Sequence, residues 1–191
     1  MAATQFLCFG EYLLYKSQNT YSINSCEVIE VFYDIRTDLD KLKYSANITK
    51  IVNDVTTENQ NTYRVLQLYL NTLYVISKTQ KDLNLINSTF ILRMLSIIGF
   101  RPIIDYCEGC KTKDNLKHFS FRDSGLKCEI CAKQDKGAIE ITTTTKDAIR
   151  YIILADAKKI FSFEVPQNTV KELDIISKIY LQEKLEKEYK L

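Results

Sequence analysis

Two C-x-x-C pairs, Cys107/Cys110 and Cys128/Cys131, stand seventeen residues apart in the stretch CEGCKTKDNLKHFSFRDSGLKCEIC. Two such knuckles, separated by about 15 to 20 residues, deliver the four soft donors that a closed tetrahedral zinc site needs. Gly109 inside the first knuckle suits a tight backbone turn, Gly125 lies just before the second, and HFSFR between them alternates like a short strand. That is the outline of a zinc ribbon at about 103–136. Two other chemistries compete for these thiols. A C-x-x-C pair can act as a redox couple, but thioredoxin-like chemistry uses one pair in a βαβ context that is absent here. A catalytic zinc needs an open coordination position, which four cysteines would fill.

The compartment bears on the choice. MAATQFLCFGEYLLYK has no basic leader and carries Glu11 within its apolar run, so no export signal is expected. No run reaches the roughly 18 apolar residues of a membrane span. The expected location is the cytoplasm, where thiols stay reduced and paired cysteines are read as metal or redox sites rather than staples. A hydrophobic fraction of 46% supports a core, and few Gly and Pro (5 and 2) favour long regular elements, mostly helix. A net charge of +2 is too mild to announce or exclude nucleic acid.

Along the chain, Phe9, Glu11, Leu13 and Tyr15 alternate against Tyr12, Leu14 and Lys16, with a break at Ser17-Gln18-Asn19, which predicts a hairpin or small meander. The period then changes. Ile35, Leu39, Leu42, Ile48, Ile51, Val52 and Val55 predict a helix over 35–55. Thr57 and Gln60 read as a capping box that opens a second helix carrying Val65, Leu66, Leu68, Tyr69, Leu73 and Ile76. A third runs through Phe90, Ile91, Met94, Leu95 and Ile98, with Gly99 as its left-handed stop and Pro102 beyond. Periodicity returns after the cysteines near Thr144 and Asp147. A last helix is expected from Thr169, with Glu172 completing its capping box and Val170, Leu173, Ile176, Ile179 and Tyr180 inward.

The single histidine, His118, lies in the strand pattern between the knuckles and reads as a packing or surface residue; Cys8 and Cys26 stand alone and read as small apolar side chains. Lys111, Lys113, Lys117, Arg122 and Lys127 between the knuckles, against Asp114 and Asp123, form a modest positive excess that could touch phosphate but reads first as solvated charge. No phosphate loop, H-E-x-x-H or G-x-S-x-G occurs. A binding protein, not an enzyme, is expected.

The run LSIIGFRPIIDYCEGC, the second knuckle introduced by SGLKC, and AKKIFSFEV before a terminal helix, all in order behind a strand pair, resemble the RecO family of bacterial recombination mediators. The resemblance implies a mainly α fold, a helical domain over 34–191 with a four-cysteine zinc-ribbon insert, preceded at 1–33 by the C-terminal strands of an OB-fold whose first three strands this chain is expected to lack. It implies one structural Zn2+ on Cys107, Cys110, Cys128 and Cys131. It also implies a nucleoid-associated protein that binds and anneals single-stranded DNA, acting with RecR and the acidic tail of the single-stranded-DNA-binding protein to load the recombinase; with the first barrel strands lacking, this chain is expected to bind the single strand more weakly than a complete family member. Arg150, Lys158 and Lys159 are the candidate contacts of the helical body to DNA or partner. The competing reading is a zinc-ribbon helical adaptor in transcription or another nucleic-acid process, in which the zinc element itself makes the contact.

Overall fold

Alternation that leaves neither face buried produces the N-terminal ribbon of this computed structural model, which describes residues 5–18, 20–58 and 60–189. Strands β1 (Cys8–Ser17) and β2 (Thr20–Val31) pair antiparallel with Ser17 opposite Thr20. Apolar residues stand exposed on both sides, among them Leu13, Leu14, Tyr15, Tyr21 and Ile29. The base is fixed to the rest of the chain: Leu7 and Phe32 are buried, the Phe32 amide donates to the Leu7 carbonyl at 3.2 Å, and Arg36 donates to Gln5 Oε1 at 2.8 Å and to the Phe6 carbonyl.

The helix expected over 35–55 is two helices, α1 (Tyr33–Arg36) and α2 (Leu39–Val55). Asp38 breaks it. Its backbone is extended, and its carboxylate accepts from the Asp40 and Lys41 amides at 2.9 and 3.0 Å, which satisfies orphan donors of the new helix. Leu39, expected inward, is left exposed on the first turn, whereas Ile48 and Ile51 are buried. The Thr57/Gln60 capping box does not form. Helix α3 (Tyr63–Lys78) starts later, its Tyr63 amide donating to Asn61 Oδ1 at 3.2 Å, and Leu66 faces solvent. Helix α4 (Leu83–Ile97) is capped by Asp82, which accepts from the Asn84 and Leu85 amides, and ends before Gly99, whose φ of +104° fits the expected stop.

Helix α4 is apolar nearly all round, as befits a central element. Ile86, Phe90, Ile91, Leu92, Met94 and Leu95 are buried, and α2, α3 and two later helices, α6 (Thr143–Leu154) and α7 (Gln167–Leu185), pack around it. Between α4 and α6 the chain leaves the bundle as strands β3 (Leu116–Ser120) and β4 (Gly125–Cys128), the short helix α5 (Glu129–Ala132) and strand β5 (Ile139–Glu140), giving a sheet of order β4-β3-β5. Phe119 of β3 ties this insert to the bundle: its ring meets Tyr180 of α7 edge-on at 5.6 Å and Phe121 at 5.4 Å.

The capping box expected at Thr169/Glu172 is also corrected. Helix α7 begins at Gln167 behind Pro166, Thr169 is buried, and Ile179 is partly exposed. Glu172 serves a different helix. Its Oε2 accepts from the Thr142 amide at 2.9 Å and the Thr142 hydroxyl at 3.1 Å, while Thr142 Oγ1 accepts from the Thr145 amide to cap α6. Glu172→Ala is therefore expected to lower the unfolding free energy by about 1 to 2 kcal/mol through the start of α6 rather than that of α7, readable as faster amide exchange at Thr142 and Thr145 with Val170 unchanged. Among the described residues no helix is long and apolar enough to cross a membrane.

Candidate functional site

The four knuckle cysteines come together although their pairs lie on different elements. Cys107 and Cys110 sit on the loop after α4, Cys128 ends β4, and Cys131 lies in α5. Their sulfurs all lie within 4.8 Å of one another, and Cys110 Sγ is 3.6 Å from Cys128 Sγ. Four thiolates around a tetrahedral ion at about 2.3 Å would stand about 3.8 Å apart, so the group can hold a metal ion. Burial falls on Cys107 and Cys128, while Cys110 is exposed.

Backbone geometry explains the knuckle. The Cys107 amide donates to the Thr112 carbonyl at 2.7 Å and the Lys111 amide to the Cys107 carbonyl at 2.8 Å, with Lys111 in the left-handed region at φ +62°. The turn residue is thus Lys111, not Gly109. Gly109 is required for another reason: a Cβ there would meet Cys131 Sγ at 2.9 Å. Gly125 likewise lies against the Ile103 backbone, where a Cβ would meet the carbonyl oxygen at 2.6 Å, and the Leu126 amide donates to that oxygen at 2.8 Å. Burial pushes the Cys107 thiol up, but the backbone amides of Cys128, Cys110 and Gly109 outweigh it and bring it down to about 6. Hydrogen bonds to Cys128 and Cys110, with burial and the neighbouring Cys107 charge, push Cys131 up to about 12. A cation among these sulfurs would favour the thiolate form of each.

Lys127 corrects the expectation of a solvated charge. It is buried beside the second knuckle, where its Nζ donates to Asp135 Oδ2 at 2.8 Å and pairs with Asp123. Asp135, also buried, accepts from Ser120 Oγ at 2.5 Å and from the Gly137 amide at 3.3 Å. The bonds from Lys127 and Ser120 outweigh burial and hold the Asp135 carboxyl down at about 2. His118, Cys8 and Cys26 stay outside the sulfur group. His118 lies opposite Lys127 and Glu140 in the sheet, and the two other cysteines are half-buried in the ribbon of β1 and β2.

Of the basic candidates, Arg150 pairs with Asp105 at 3.4 Å and lines a cavity with Lys113, Lys146 and Asp147 between α6 and the insert. Lys158 and Lys159 are exposed in the turn after α6 and do not line it. A second basic group is more concentrated. Arg64 of α3, Arg93 of α4 and Arg101 line a cavity of about 340 Å³ whose apolar walls include Leu68, Ile97, Ile153 and Ile160. Arg93 donates to the Ile152, Ile153 and Ala155 carbonyls, completing the C-terminus of α6. Burial, then the positive charges of Arg64 and Arg101, lower its pKa. Such a convergence of like charge beside apolar wall favours an anion with an apolar flank.

The family model described as Recombination protein O C terminal matches residues 36–191. Over 190 residues, 99% of this chain and 76% of the relative, it is 43% identical to the DNA repair protein RecO of Acetivibrio thermocellus. The chain belongs to the RecO family. Two further RecO proteins align over similar shares: that of Alkaliphilus metalliredigens at 28% identity, covering 98% of this chain and 76% of the relative, and that of a Thermoanaerobacter species at 30%, covering 95% and 73%. The RecO relation covers the insert together with the helices around it. It supports a role in recombination repair, and the four clustered cysteines are compatible with zinc.

Sequence reading missed the arginine cavity and the Lys127–Asp135 pair of this RecO chain. One signal was available: Arg93 interrupts the apolar run FILRML, and a charge at a core-facing position needs partners.

Proposed function

We propose that this chain is a non-enzymatic mediator of DNA repair and homologous recombination that acts in the cytoplasm at the nucleoid. In this reading it binds and anneals single-stranded DNA and works with RecR and the acidic C-terminal tail of the single-stranded-DNA-binding protein to load the recombinase. Residues 34–191 form the helical domain, and the ribbon of β1 and β2 within 1–33 belongs to an OB barrel. Cys107, Cys110, Cys128 and Cys131 hold one structural Zn2+, which when bound ties the loop after α4 to β4 and α5. Four thiolates close the coordination shell, so the ion scaffolds and does not catalyse.

The observation that carries the reading is the RecO match over 36–191 with the sulfur cluster inside it. The seating of Phe119 on Tyr180 supports a scaffolding insert over a free recognition module. The arginine cavity adds a receiver for an acidic tail with an apolar end: Arg64 and Arg101 are exposed at its rim, and its walls are aliphatic. Arg150, Lys158 and Lys159 supply further positive charge around α6.

Fluorescence anisotropy over a salt series tests this, with a labelled oligonucleotide in one arm and an acidic, apolar-ended peptide in the other. Arg64→Glu/Arg101→Glu is expected to weaken the peptide at least tenfold, about 1.4 kcal/mol, and to flatten its salt dependence. Peptide binding unaltered by this double substitution would remove the cavity from the reading. Failure of the unaltered chain to bind either ligand would remove the reading itself.

A further inference from the structure

Helix α3 has two faces of different character. Val65, Leu68, Leu73 and Ile76 are buried against the bundle. Tyr63, Gln67, Leu70 and Tyr74 follow at i, i+4, i+7 and i+11, a spacing that sets them in one line along the helix, on its outward side. Tyr63 is 68% exposed and Tyr74 54%, with Gln67 and Leu70 half-buried between them. The outward face of a helix usually carries charged residues. This helix has no acidic residue at all, and its cations, Arg64 and Lys78, stand at its two ends.

The two ends differ in charge. Lys78 is already paired with Asp34 at 2.8 Å. Arg64, beside Tyr63, shares the rim of the arginine cavity with Arg101, and Gln67 lines that cavity too. Among the described residues no other aromatic ring packs on Tyr63 or Tyr74. Eleven residues separate the two tyrosines, about 16 Å along the axis at 1.5 Å per residue, which is the length of about five stacked nucleotides at ~3.4 Å each.

A folded protein partner fits this line poorly, because a specific interface takes about 800 Å² and some twenty residues from each side. A single strand needs less. Separate π-faces for its bases and local positive charge for its phosphates are enough, and α3 offers both. A duplex keeps its bases stacked on one another and cannot use the rings.

We propose that the outward face of α3 is a platform for single-stranded DNA, with bases stacked on Tyr63 and Tyr74 and the backbone drawn to Arg64 and Arg101 at one end. Gln67 offers a carboxamide to a base edge between the two rings. The proposal rests on the single-strand binding proposed above and gives it a place in the helical domain, apart from the ribbon of β1 and β2 and from the cysteine cluster. The platform tolerates any sequence, because every base has a π-face.

The test uses the full chain and a labelled single strand of about twelve nucleotides, followed by anisotropy. Tyr63→Ala and Tyr74→Ala are each expected to weaken binding at least about fivefold, whereas Tyr63→Phe and Tyr74→Phe, which keep the ring, retain it. Both side chains face solvent, so all four variants should keep the melting temperature of the unaltered chain. A duplex of the same sequence should bind weakly and respond to none of the four. Irradiation of the complex with a strand carrying 5-iodouracil, which couples to aromatic side chains stacked on it, should place adducts on Tyr63 and Tyr74. Affinity unchanged in both alanine variants overturns the proposal, as does a loss in the phenylalanine variants equal to that in alanine. So do adducts confined to Tyr12, Tyr15 and Tyr21, which would place the strand on the ribbon. In each of these cases the unaltered chain still binds the strand, and the repair-mediator reading stands. An unaltered chain that binds no strand ends both this proposal and the single-strand binding on which it rests.

Discussion

With zinc on the four cysteines as proposed, chelation is expected to unfold residues 103–136 while α2, α3, α4, α6 and α7 remain helical. The strands of the insert are five, four and two residues long, too short to hold a sheet without further support. Zinc bound by four thiolates contributes on the order of 10 to 16 kcal/mol in small zinc domains, more than Phe119, Phe121 and Leu126 can supply by burial at about 1.5 to 3 kcal/mol each. The bundle has its own core around α4 and needs no help from the ion. Chelation at neutral pH, or Cys128→Ser, should therefore release amide protection throughout β3 and β4 with little loss of helical circular dichroism. Protection of the Phe119 and Leu126 amides equal to that of Phe90 after chelation would show that the insert folds without metal.

The second large effect belongs to Asp135. Its carboxyl lies at about 2 against the usual 3.8, and a depressed carboxyl contributes stability that is complete above the unfolded value and lost as pH falls through the folded one. At pH 7 the whole contribution, about 2 kcal/mol by that shift, is present. Asp135→Asn removes it and also leaves Lys127 buried with Asp123 as its remaining carboxylate. Breaking one side of a buried pair costs about 3 kcal/mol or more, so urea unfolding at pH 7 should shift by about that amount, with the insert opening first. A shift below about 1 kcal/mol would mean that Lys127 finds solvent in the variant. Ser120→Ala, which deletes a single bond to the same carboxylate, should cost about 1 kcal/mol.

Features encoded within a few residues were legible in the sequence, and those assembled across the chain were not. The cysteine knuckles, the Gly99 stop and the hairpin break after Ser17 are local. Glu172 shows the limit of local pattern: Thr169 and Glu172 have capping-box spacing, but the acceptor that Thr142 needs lies thirty residues away, and tertiary packing gives Glu172 to α6. Lys127 looked like one of several exposed lysines because nothing nearby in sequence announces that Asp135 folds back under it after α5. The arginine cavity draws Arg64, Arg93 and Arg101 from separate segments, so no window of sequence contains it. Leu39 misled because helical periodicity was carried across Asp38, where the backbone leaves the helix.

X-ray absorption at the zinc edge, on protein purified without chelator, tests the central claim most directly. It should find one zinc per chain surrounded by four sulfur scatterers at about 2.3 Å and no nitrogen or oxygen in the shell. A shell containing nitrogen or oxygen, or protein with well under one zinc per chain and its C-x-x-C thiols paired as disulfides, would contradict it.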